Sequence, residues 1–179
     1  MLVYHVVTDR DMAEGQRIIF DERNRSGVWQ RVMARKDLVA EVYAHPERFP
    51  APLEHHLDVA IRELAMEEVR AREFPHLPSR LAALYVSRTL GEAERWAEFF
   101  VRIGRPVFSI VEIRTDSECF VGDACNCFDG TPDHADNLAR ARRYWQNLPN
   151  EEGEPIWEML AGGELTVVRI VRRIDRNIG

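Results

Sequence analysis

The stretch LEHHLDVAIRELAMEEVRAREF, residues 53–74, constrains this chain more than any other. Leu53, Leu57, Ile61, Leu64 and Val69 recur near helical spacing, which predicts a long amphipathic helix. Asp58 and Arg62 stand four apart and read as an ion pair on its outer side. Pro75 and Pro78 close the segment. An apolar stripe of this kind is buried against other elements, and short β-rich runs supply them. LVYHVV (2–7) opens the chain as a central strand, RLAALYVS (80–87) reads as a second, PVFSIVEIR (106–114) as another central one and ELTVVRIVRRI (164–174) as the closing one.

The remaining segments fit between these. GQRIIFD (15–21) is a short strand or the start of a loop, and the pattern from there to Pro52 is irregular, with HPERFPAP (45–52) a proline-punctuated connection. Thr89 and Glu92 form a capping box for a helix over 90–104, which buries Ala93, Trp96, Ala97 and Phe100 and stops at Gly104. The 115–137 segment is polar and turn-rich, NLARARRYWQN (137–147) is a third helix, and LPNEEGEP (148–155) is an acidic loop. There is no internal repeat and no low-complexity segment. The order of elements predicts one α+β domain over 1–179, a mixed, mainly antiparallel sheet core flanked by helices.

Composition narrows the function classes. At 179 residues, 45% hydrophobic and 30% charged, the chain can bury a substantial core as a soluble globular domain. Twenty-four basic against 30 acidic residues give −6, which argues against life by non-specific phosphate attraction but leaves room for a local basic patch. The apolar start MLVYHVVTDRD meets Asp9 and Arg10 too early for a signal peptide. No apolar run approaches the ~18 residues of a membrane span. Three cysteines without a secretory signal read as reduced thiols in a cytoplasm.

Several chemical motifs compete. Cys119, Cys125, Cys127 and His134 supply soft ligands, but the spacing C-x5-C-x-C-x6-H matches no closed zinc pattern, so half-buried thiols packed on the sheet are favoured and no metal is expected. A cysteine nucleophile with His5, His55, His56 or His76 as base has no local signature. Neither G-x-G-x-x-G nor G-x4-G-K-S/T occurs, which disfavours a dinucleotide fold of the usual kind and a P-loop enzyme. Arg140, Arg142, Arg143, Arg169, Arg172 and Arg173 can form a phosphate patch, although a solvated helix face and strand edge is the simpler account. In PIWEML, Glu158 either sits on the wet side of a short helical turn or is a catalytic acid held at a strand edge.

Three fragments in order, LVYHVV, LYVSRTLGEAERWA and WEMLAGGELTVVRI, resemble the ADP-ribosyltransferase superfamily. Most of residues 2–170 is also similar to a small bacterial family of uncharacterised proteins, through PSRLAALYVSRTL, EAERWAEFF, GRP and GDACNCF. The superfamily resemblance implies an ADP-ribosyltransferase-like fold with NAD as substrate. His5 would face the adenosine ribose with Tyr4 supporting its strand, Tyr85 or Ser87 would lie by the nicotinamide ribose, and Glu158 would be the catalytic acid. Glu154 and Glu164 are neighbouring alternatives to Glu158. Ile156 departs from the Q/E-x-E pair of the toxins, so the acceptor, protein or nucleic acid, stays open. The resemblance also admits a non-catalytic nucleotide- or partner-binding protein, or an RNA 2′-phosphotransferase-like enzyme.

Overall fold

The computed structural model describes residues 1–8, 10–151 and 153–174. The expected charge break at Asp9, part of the acidic loop and the 175–179 end of the single-domain span therefore lie outside the described residues. The described residues form seven strands and five α-helices: β1 (Leu2–Val7), β2 (Arg17–Ile19), α1 (Gly27–Met33), α2 (Lys36–Ala44), α3 (His55–Glu73), β3 (Leu84–Val86), α4 (Leu90–Arg102), β4 (Ser109–Thr115), β5 (Cys119–Asp123), α5 (His134–Trp145), β6 (Trp157–Ala161) and β7 (Glu164–Arg173). They make one α+β domain with two antiparallel sheets, ordered β1-β4-β7-β2 and β3-β6-β5.

An isolated backbone bridge joins the two sheets. Tyr4 of β1 and Ser87, just past β3, exchange backbone hydrogen bonds of 2.9 and 2.7 Å. Away from that bridge the two sheets pack face to face. Val3, Val7, Val111, Ile113, Leu165 and Val167 of the first meet Leu84, Val86, Met159 and Ala161 of the second. On the outer side of the first sheet, α4 buries Ala93 and Ala97 against Val6 and Ile110. On the outer side of the second, α3 and α5 bury Met66, Val69, Tyr144 and Trp145 against Phe120 and Leu160. The chain crosses from β6 to β7, and so from sheet to sheet, through Gly162 and Gly163. Gly163 has φ +70°, and a β-carbon there would lie 2.0 Å from the Ser117 hydroxyl oxygen. Only glycine fits that crossing.

The principal helices and strands stand close to their expected places in the chain, but the expected mixed sheet is two antiparallel sheets, and β1, expected to be central, ends the four-stranded one. Residues 26–44 form two short helices rather than irregular chain. Ser26 caps the first, accepting from the Trp29 amide at 3.0 Å, and Val32, Val39 and Val42 pack on Leu57, Ile61 and Leu81. Helices this short are marginal alone, so tertiary burial decides their formation. The expected strand 80–87 shrinks to three residues because Ser79 caps a 3-10 turn at Arg80–Ala82. The polar 115–137 segment holds β5, in which half-buried Cys119 and Val121 alternate with buried Phe120 and Gly122 before buried Asp123. Arg62 does not pair outward with Asp58. It turns inward, donating to Glu63 at 3.2 Å and to the Phe128 carbonyl at 3.3 Å.

Candidate functional site

Where β1 and β3 diverge from their bridge, a cleft of about 790 Å³ opens. Its walls come from β1, β3, β6, α3 and α4, and the stretch from Arg10 to Val32 runs along its mouth. His5, Tyr85, Ser87 and Glu158 all line it, although they are separated by up to most of the chain. The strand periodicity explains how. His5 shares a face with Val3 and Val7, while Tyr4 points the other way into the cluster beneath α4. Tyr4 is not among the lining residues; its hydroxyl bonds Glu112 and its backbone makes the bridge.

His5 and Tyr85 are joined across the divergence. The His5 Nδ1 lies 2.8 Å from the Tyr85 carbonyl oxygen, and a carbonyl only accepts, so Nδ1 carries the proton. Ser87 is buried and its backbone is committed to the bridge. Tyr85 stacks against Arg80, whose guanidinium carbon lies 5.3 Å from the ring centre. Burial raises the Tyr85 hydroxyl well above the ordinary tyrosine range despite the nearby Arg80.

Glu158 is buried, with 9% of its surface exposed, and belongs to β6, the middle strand of its sheet. The wet helical turn is thereby excluded. Its side chain shares a face with Leu160, on the α3 and α5 side, opposite to Met159 and Ala161. Arg80 makes a very short bond to Oε1, the Tyr144 hydroxyl donates to the same oxygen at 2.7 Å, and the Cys127 thiol points to it from 3.9 Å. Room for Tyr144 comes from Gly122, which pairs with Glu158 on β5; a β-carbon there would stand 3.2 Å from the Tyr144 ring.

Arg80 is the centre of this cluster. It donates to Glu63 of α3 at 2.8 and 3.2 Å and to the Tyr144 oxygen at 2.7 Å, besides Glu158. Burial alone would lower its pKa, but Glu158 and Glu63 outweigh burial and hold it well above the arginine value. Burial likewise pushes Glu63 up, and Arg80 with Arg62 more than reverses this, holding the carboxyl below its usual range. Tyr144 is raised by burial and stays protonated as a donor. Burial raises the Cys127 thiol to about 12, which makes it a poor nucleophile at neutral pH. The arrangement can hold one carboxylate in a fixed place at the wall of a cleft.

Sequence patterns did not single out Arg80, Glu63 or Tyr144. One signal was present: Glu63 lies midway between Ala60 and Met66, on a stripe at spacing three that the structure buries. The alternative acids stand elsewhere: Glu154 is exposed, and Glu164 is exposed and pairs with Arg17 at 2.5 Å. All six arginines of the suspected basic patch have acidic partners, for example Arg142 with Glu73 at 2.7 Å and Arg172 with Glu94 at 3.3 Å. The three cysteines are partly buried and none is in a disulfide. Among the described residues no group of three or more His, Cys, Asp or Glu side chains is placed to hold a metal ion. Among them too, no helix is long and apolar enough to cross a membrane.

No curated protein matches the chain. Residues 3–173 match the family described as "Protein of unknown function (DUF2441)", and with nearly the whole chain matched, it belongs to that family.

Proposed function

We propose that the cleft binds NAD and that the protein is an ADP-ribosyltransferase with an ADP-ribosyltransferase-like fold, acting in the cytoplasm on a protein or nucleic-acid acceptor. The observation that carries this reading is the convergence of His5, Tyr85, Ser87 and Glu158 on one cleft. Cleaving the nicotinamide–ribose bond develops positive charge on the sugar, and a fixed carboxylate in a site poor in water stabilises that charge. Nicotinamide leaves neutral, so no strong general acid is required. Glu158 would supply the carboxylate, His5 and Tyr85 would hold the two ribose ends, and Ser87 would help through the strand it anchors.

The test is nicotinamide release from NAD by the wild type and by Glu158→Gln, each with a melting curve. The expected result is a folded variant slower by ~10²–10³. Calorimetry should show NAD binding that weakens in His5→Ala. Equal nicotinamide release by the wild type and Glu158→Gln would overturn the assignment of Glu158.

One observation favours a second reading. Glu158 already accepts from Arg80 and Tyr144 on one oxygen, and a carboxylate so engaged suits a structural ion pair. On that reading the protein binds a nucleotide without cleaving it, and calorimetry detects NAD while nicotinamide never appears.

A further inference from the structure

The cleft is basic in an acidic protein. Eight arginines line it against two glutamates, Glu63 and Glu158, both held by Arg80. Arg62, Arg80 and Arg105 lie along its wall, while Arg10, Arg17, Arg23, Arg25 and Arg31 come from the stretch along its mouth. That stretch is not basic throughout, because it also contains Asp11, Glu14, Asp21 and Glu22. None of those acids lines the cleft. Asp11 faces Arg173 at 3.6 Å, Glu14 accepts from the Ile170 amide at 3.1 Å, and Asp21 accepts from the amides of Arg23 and Asn24 at 2.8 and 2.7 Å. Basic and acidic side chains of one stretch are thus sorted, bases to the cleft and acids away. Arg23, Arg25 and Arg31 are exposed and form no ion pair among the described residues. A solvated face of mixed charge would show no such sorting.

Arg80, Arg62 and Arg17 are engaged by Glu158, Glu63 and Glu164, but the diphosphate of NAD carries only two charges and Arg23, Arg25 and Arg31 alone exceed them. Phe20, Tyr85, Trp96 and Phe100 add aromatic surface to the same lining. Cationic forks and flat rings in one lining suit a chain of phosphates and bases. We infer that the mouth of the cleft takes a single-stranded nucleic acid, its backbone along Arg23, Arg25 and Arg31, and that this strand is the acceptor of ADP-ribose. The acceptor role rests on the NAD reading above, whereas strand binding does not. In the transfer, the bond from the anomeric carbon to nicotinamide breaks with both electrons leaving on nicotinamide. A lone pair of a strand nitrogen or oxygen forms the new bond, and any proton on that atom passes to solvent.

The experiment is fluorescence anisotropy with an internally labelled single-stranded oligonucleotide of about ten nucleotides, inside the usual range for such grooves, read across a salt series. Calorimetry with NAD on the same wild-type protein runs beside it. The expected result is wild-type binding that weakens with salt. The triple variant Arg23→Ala, Arg25→Ala, Arg31→Ala should lose about tenfold or more in affinity and about 2 in the log–log salt slope, at ~0.7 per phosphate contact. The matching triple lysine variant should recover most of the slope, since it restores the charges. Unchanged binding in the alanine variant overturns the inference, and so does equal competition by a glutamate-rich peptide or by duplex DNA. Strand binding without NAD binding removes the acceptor role and the NAD reading while leaving the strand site. NAD binding without strand binding overturns this inference alone.

Discussion

Two strand glutamates, Glu112 on β4 and Glu158 on β6, each face an arginine, yet the two pairs stand in different surroundings. The glutamates are similarly buried, at 6% and 9% exposed. Their partners are not: the side chain of Arg169 is 59% exposed and that of Arg80 only 5%. The outer pair keeps its guanidinium in water, where attraction is screened and weak. The inner pair has left water on both sides and depends on a full set of partners. Burial of a carboxylate by itself therefore does not distinguish a structural ion pair from a site. The solvent around its partner sets instead how much the pair depends on its other partners.

The strongest way to break that contrast is Arg80→Ala, which leaves Glu63 and Glu158 buried without their shared cation. It should cost ~3–5 kcal/mol of unfolding free energy in urea, or abolish folding. A loss below ~1 kcal/mol would mean that water reaches the cluster and that it resembles the outer pair. Acid sharpens the comparison next. The Glu63 carboxyl is held below its unfolded value, so its contribution is present above the unfolded pKa of ~4.3 and vanishes as pH falls through the lower folded value. The urea midpoint of the wild type should fall on acidification through that window, and the fall should be shallower in Glu63→Gln. A wild type and variant with parallel acid profiles would contradict this. The smallest effect is expected from Glu112→Gln. The hydrogen bond from Arg169 also lowers the Glu112 pKa, but the solvated partner limits its value. Its urea midpoint should move far less than that of Arg80→Ala, and the shift should shrink further in high salt.

The same contrast explains what could be read from the sequence. Helices α3 and α4 and the long strands are written in local periodicity and caps, so they were legible. Glu158, His5, Tyr85 and Ser87 were legible as fragments in order, and all four line one cleft. Tyr4 shares the first fragment, but strand alternation turns its side chain to the far face. The buried cluster was not legible, because Glu63, Arg80, Tyr144 and Glu158 come from four separate elements and meet only in the packed domain. Nothing local marks an arginine whose partners lie 17, 64 and 78 residues away. The short helices α1 and α2 and the strand β5 depend in the same way on contacts from elsewhere.

The bridge between Tyr4 and Ser87 gives the cleft the mechanics of a pair of compasses. The apex is two backbone hydrogen bonds, and the legs are β1 and β3, with the His5 bond to Tyr85 as a tie just above the pivot. A ligand wedged between the legs would load that apex rather than bend either sheet, because each sheet is braced on its outer face by helices. The amides of Tyr4 and Ser87 are then natural gauges of cleft opening. Their hydrogen exchange should rise and fall together, and quicken when a ligand wedges the legs apart.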